Sequence, residues 1–172
     1  MQTDDVFRAQ LQNAISDIKD WAKTIASVAD VLENEDTNYW RLVVKPHTFG
    51  ACPIELMLSI VSGDAIYDIR IANEGYDDQP VDDLQMFVPI LEAITLGQVR
   101  QRTWKSPTTN LPILVQTRVG SKARELWQTE RVLSPETTST IALDLETVLL
   151  HDRHFLPFHR NDAQYSTITG KR

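Results

Sequence analysis

The feature that most limits what this chain can become is an apolar stripe at its start. Phe7, Leu11, Ala14, Ile18, Trp21, Ile25, Val28 and Leu32 recur at alternating spacings of four and three, the 3.5-residue repeat that lays one apolar seam along a helix. Ile15, Ala22 and Ala29 widen the seam on one flank, whereas Asp17, Lys19, Asp20, Lys23 and Asp30 lie off it. Thr3 or Asp4 supplies an N-cap, and Glu33-Asn34-Glu35-Asp36 stops the pattern. The spacing predicts one helix of about 28 residues, about 40 Å long at a rise of 1.5 Å per residue. Strands of ordinary length, about 17–20 Å, cover only part of such a helix. Its N-terminal half, around Phe7 and Leu11, is therefore expected to project and meet another chain, as a homodimer or against a protein partner.

Past the seam the period changes from a helical one to two. Trp40, Leu42 and Val44 alternate with Arg41, Val43 and Lys45 until Pro46; Ile54, Leu56, Leu58 and Ile60 alternate with Glu55, Met57 and Ser59; Tyr67, Ile69 and Ile71 follow the turn at Ser62-Gly63. These are three antiparallel strands with one covered face. Asn73 to Pro80 reads as a loop opening a second helix, whose apolar face is Val81, Leu84, Phe87, Val88, Leu91 and Ile94 and whose stop is Gly97. Pro89 is expected to kink or shorten it. Residues 98–133 read as two or three strands, with Leu111, Ile113, Val115, Thr117 and Val119 the cleanest alternation and Ser106–Asn110 a hairpin loop. In 134–150, Ser134-Pro135-Glu136 fits a helix start, while Ile141, Leu143, Leu145, Thr147 and Leu149 alternate as a strand would; both readings stay open.

The predicted fold is α+β: an antiparallel sheet of five to six strands, with a long N-terminal helix and a second helix packed on it. At 172 residues one core suffices, so 1–160 are expected to form a single domain, with 161–172 a mobile C-terminal tail. The order of elements alone is similar to that of the small acidic chaperones that bind bacterial secretion effectors; no sequence motif accompanies the likeness. Met1–Asp5 shows no basic residue ahead of an apolar run, charged residues interrupt every hydrophobic stretch, and Cys52 is the single cysteine. The expectation is a cytoplasmic protein with neither membrane helix nor disulfide framework.

Charge is unevenly spread. The net is −7 over the chain, yet residues 1–97 carry 17 acidic against 6 basic side chains, while 98–133 carry Arg100, Arg102, Lys105, Arg118, Lys122, Arg124 and Arg131 against Glu125 and Glu130. The basic segment, with Trp104 and Trp127 interleaved, has the composition of a single-strand nucleic-acid surface. An acidic remainder repels phosphates, so the basic segment is instead expected beside the acidic strands of the same fold.

Three groups of residues could carry chemistry. His151, His154 and His159, with Asp152 among them, could ligate a transition metal if a helix set the first two on one side, although Pro157 interrupts any helix before His159. Tyr76, Asp77, Asp78, Asp82 and Asp83 concentrate negative potential where a cation or a basic partner could dock, or they cap and charge a helix start. Cys52 has His47 five residues upstream, but an inert, partly buried thiol is the simpler reading. No phosphate loop, nucleophile elbow or zinc-protease motif appears. The sequence thus calls for no cofactor and leaves enzymatic activity open. It favours a non-enzymatic protein-binding or adaptor module, chaperone-like or immunity-like, that acts through the N-terminal helix and the acidic surface of Asp77, Asp78, Asp82 and Asp83. The alternative is a metal-dependent enzyme built on the C-terminal histidines.

Overall fold

In a computed structural model, which describes residues 2–61, 64–133 and 149–159 and the side chains from Arg8 on, the elements run α1 (Gln2–Thr24), β1 (Ala29–Glu35), β2 (Tyr39–Pro46), β3 (Ile54–Val61), β4 (Asp64–Ile71), β5 (Glu74–Pro80), a 3-10 turn (Leu84–Met86), α2 (Phe87–Thr95), β6 (Val99–Lys105), β7 (Pro112–Gly120), β8 (Glu125–Val132) and β9 (Leu149–His154). The fold is α+β. Its strands form two antiparallel sheets rather than the single expected sheet: a meander in the order β1-β2-β3-β4-β5, and a second sheet in the order β8-β7-β6-β9.

Alternation decides which side of the meander is covered. The cross-strand register aligns Trp40, Leu58 and Tyr67 in one row, Leu42, Leu56 and Ile69 in the next, and Val44, Ile54 and Ile71 in a third. Every one of these side chains is buried, in one core with Leu11, Ile15, Ile18, Trp21, Ala22 and Ile25 of α1. Burying each large apolar side chain stabilises the fold by about 1.5–3 kcal/mol. Lys19 closes the edge of this layer, reaching Glu33 at 2.6 Å and Glu35 at 3.2 Å on β1, while Trp40 Nε1 donates to Glu33.

The first helix is shorter than the repeat implies. It begins at Gln2, ahead of the expected caps, and ends at Thr24, whose hydroxyl donates back to the Trp21 carbonyl at 2.6 Å. Residues 25–28 turn, and Ala29–Glu35 then pair along their whole length with β2. This pairing satisfies the open edge of β2 and turns Ala29 and Val31 inward, whereas Leu32 faces out at 55% exposure. A ladder of backbone hydrogen bonds available from β2 outweighs the local period.

A further difference has a local cause. Asn73–Pro80 is not a loop: Glu74–Pro80 is strand β5, reached through Ala72 at φ +56° and carrying a register shift near Asp78 at φ +53°, whose N–H donates to Asp68 at 2.7 Å. The second helix is shortened, as expected of Pro89: it begins at Phe87 rather than near Val81, so that Pro89 is its third residue, where no intrahelical acceptor awaits an N–H. Ser106–Asn110 form the hairpin loop as expected, with Asn110 N–H donating to the Ser106 carbonyl. Residues 134–148, which hold most of the ambiguous segment, and the expected tail at 161–172 lie outside the described residues.

The second sheet joins the first through buried polar contacts. Tyr76 on β5 bonds Thr117 on β7 at 2.6 Å, Gln101 on β6 donates to the Ile71 carbonyl at 3.0 Å, and Trp127 Nε1 on β8 donates to the Tyr67 hydroxyl at 3.0 Å. Tyr76 and Trp127 also stack edge to face. After β9, residues 155–158 form a strap: Leu156 N–H donates to Gly50, Phe158 N–H to Thr95, and Thr48 bonds the Phe158 carbonyl. Phe155 and Phe158 are buried, but Leu156 stays 42% exposed. Gly97, at φ +73°, admits the strap, since a Cβ there would lie 2.8–2.9 Å from the backbone of 155–157.

Two substitutions separate these joints. Gly97→Ala should cost well over about 1 kcal/mol, through both its positive φ and the clash. Tyr76→Phe should cost only about 1 kcal/mol, because Gln101 still reaches Thr117. Urea unfolding of each variant measures the difference.

Candidate functional site

Two helical faces meet along one side of the meander. On α1, Ala14, Asp17, Trp21 and Thr24 follow each other at spacings of three, four and three and so share a stripe. Opposite them stand Leu84 and Gln85 of the 3-10 turn, with Val88 and Glu92 on α2. The chain reaches this second face by a tight turn after β5, where Asp83 accepts the Gln85 N–H at 2.9 Å and so caps the 3-10 turn. The space between the faces is a groove in two adjoining parts that share Ala14, Asp17, Leu84 and Gln85 in their walls. One, of about 540 Å³, is lined by Ala14, Asp17, Trp21, Leu84 and Val88 with Asp20 and Glu92. The other, of about 360 Å³, continues past Ala14 and Asp17 to Gln10, Val81, Asp82 and Asp83.

The groove is apolar below and acidic above. Ala14 and Trp21 are buried, Val81, Leu84 and Val88 half-buried, and Asp17, Asp20, Asp82, Asp83 and Glu92 exposed. None of the lining residues is basic. Asp20 holds Lys23 at 2.7 Å, whereas Asp17, Asp82 and Glu92 have no ion-pair partner among the described residues. Carboxylates crowded at the rim of a low-dielectric floor focus negative potential on whatever lies there. The groove follows α1 from Gln10 to Thr24, about 21 Å at the rise of a helix.

The residues singled out in sequence are dispersed. Asp82 and Asp83 border the groove. Asp77 and Asp78 are exposed on β5, and Tyr76 is buried in the joint between the sheets. Leu11 is not presented to a partner: it is buried at 6% exposure in the chain's own core, because α1 already packs on the meander at this position. The Phe7 side chain lies outside the described residues. His151 and His154 are exposed on strand β9, not on a helix, and three residues along a strand point to opposite faces. His159 lies beyond the strap, and no three His, Cys, Asp or Glu side chains converge as a metal set among the described residues.

The basic segment does not form one open face. Arg102 grips Asp152 with two hydrogen bonds of 2.8 and 2.9 Å, and this contact above all holds the Asp152 carboxyl below its ordinary range. Arg131 reaches Glu74 on β5 at 2.6 Å, an ion pair joining the two sheets as the charge pattern led us to expect. Arg100, Arg118 and Lys122 border a separate cleft on the second sheet.

Asp17, Asp20 and Glu92 are the functional candidates that sequence reasoning left aside. Asp17 and Asp20 sit beside the α1 seam at helical spacing, which marks them as neighbours on α1 but not as facing α2. No family model, curated protein or solved structure matches this chain. No helix among the described residues is long and apolar enough to cross a membrane.

Cys52 is fully buried, and burial pushes its thiol up to about 12, well above the ordinary 9.0; His47 bonds Asp30 instead. Burial likewise raises Tyr67 and Tyr76. The native state therefore holds these protons more tightly than the unfolded chain does. Stability should be full below about pH 9 and fall as pH rises toward 12, read as a declining urea midpoint. At pH 8 the native thiol should resist a disulfide reagent that labels it fully in urea.

Proposed function

We propose that this chain is a non-enzymatic protein-binding module, and that its groove between α1 and α2 receives a basic, amphipathic segment of a partner protein. The observation that carries this reading is the pairing of an apolar floor, Ala14, Trp21, Leu84 and Val88, with an acidic rim that has no basic lining residue. An amphipathic helix lays its apolar side chains into such a groove and sets its polar ones at the rim. A length of about 21 Å suits about 14 helical residues. Asp17, Asp82 and Glu92 would draw the cations of that helix, speeding encounter and fixing its register.

Charge also bears on the choice between a homodimer and another protein. A second copy docking through the same face would set acid against acid, since a two-fold interface is self-complementary. A basic partner meets no such penalty. The exposed positions of His151, His154 and His159 lend no comparable support to a metal enzyme.

A 14-residue amphipathic peptide of leucine and lysine and its glutamate-for-lysine analogue provide the test. Calorimetry should detect binding of the first and none of the second, with affinity falling as salt rises. Asp17→Arg combined with Glu92→Arg should weaken binding about tenfold or more while leaving the circular dichroism spectrum and the oligomeric state unchanged. Equal binding of both peptides, or of wild type and variant, would overturn the reading.

A further inference from the structure

The outward face of the second sheet carries its charges in two adjacent rows that are neutralised very differently. In one row Glu130, Gln116, Arg102 and Asp152 stand side by side across β8, β7, β6 and β9. Arg102 is held by Asp152, and Gln116 donates to Glu130. In the next row the register places Gln128, Arg118, Arg100 and His154 side by side on the same four strands. Arg100 therefore faces an arginine on one neighbour and a histidine on the other. Like charges directly opposite one another weaken a sheet.

This row lines a cleft. Arg100, Arg118, Lys122 and His154 border a space of about 330 Å³, together with Gly97, Gly120 and Ser121. Glu125 is the acid on its lining, and its carboxylate stays 3.7 Å from Arg118. Arg100 has no ion-pair partner among the described residues, although with His154 it adds to the field that lowers Asp152. Arg118 is aimed rather than free. Its Nε donates at 2.8 Å to the side-chain Oε1 of Gln116, whose Nε2 in turn donates to Glu130. Gln116 is buried, so this bracket is rigid.

We propose that the cleft binds the phosphate group of a small phosphate-bearing molecule, with Arg100 and Arg118 donating to its oxygens and Lys122 supplying a third charge. Guanidinium groups match phosphate oxygens in pairs, and a lysine adds a point charge. A small ligand fits better than a nucleic-acid strand. Three cations, Arg100, Arg118 and Lys122, share one cleft, Arg102 and Arg131 are occupied by Asp152 and Glu74, and a strand-binding surface needs cations and stacking rings spread along a track. A sheet that tolerates opposed like charges gives up stability where a ligand later supplies the missing charge.

Sodium pyrophosphate is the probe, with sodium chloride at equal ionic strength as control and an oligothymidylate as the competing source of phosphate. Pyrophosphate should raise the melting temperature of the full chain above the chloride control, and the oligothymidylate should not. Arg100→Gln should weaken pyrophosphate about tenfold or more, the loss of a hydrogen bond to a charged group, while ligand-free stability at low salt stays equal to wild type or rises. Lys122→Gln, on an exposed turn, should weaken binding with the fold untouched. No stabilisation beyond chloride, binding unchanged in both variants, a fall in ligand-free stability of Arg100→Gln, or oligothymidylate alone stabilising the chain would each overturn the proposal.

Discussion

The buried network of Tyr76, Thr117 and Gln101 is the constraint on which the arrangement of the two sheets depends. All three residues are buried, and a buried polar group without a partner costs more than one bond contributes. The joint therefore admits few geometries. Gln101 must reach both Thr117 and the Ile71 carbonyl, and Trp127 must meet the Tyr67 hydroxyl while stacking on Tyr76. No buried side-chain polar atom is left without a partner among the described residues. An apolar joint would hold the sheets as firmly but allow them to slide. This one fixes their register, and with it the position of α2, which packs against α1 on one side and β7 and β8 on the other.

How much of this was legible in sequence depended on whether local pattern and tertiary demand agreed. They agree for β2, β3, β4 and β7, where alternation in residues such as Leu42, Leu56, Ile69 and Val115 matches one buried and one wetter face. They disagree at Val28 and Leu32, which continue a helical period where the chain instead turns and is then recruited as a strand by the edge of β2. β5 was hidden because Glu74-Gly75-Tyr76-Asp77-Asp78-Gln79-Pro80 has the composition of a loop and a single buried anchor, Tyr76. β9 has no alternation to read, since all six residues are exposed.

The groove was legible only in fragments. Asp82 and Asp83 stood out as a cluster, and Ala14, Trp21, Leu84 and Val88 as apolar stripes, but nothing local says that the two helices face one another. Segregated charge is the larger lesson. Acidic and basic halves of the chain meet at Arg131 and Glu74, yet most of the excess stays apart, acid on β1 to β5 and at the rim of the groove and base on the second sheet. Such a molecule carries a field with direction, which orients charged ligands before contact and does so less as salt rises.

The strap has a consequence for the order of folding. β1 to β5 pair only with sequence neighbours, so the meander can assemble as soon as its own residues leave the ribosome. β6 cannot gain its second neighbour until Leu149–His154 has been made, and Thr48 waits for Phe158, 110 residues later. Until then the positions of Phe155 and Phe158 in the core stand open. Synthesis thus passes through a stage in which a formed meander exposes apolar surface at one end, and the last contacts made are those that close it.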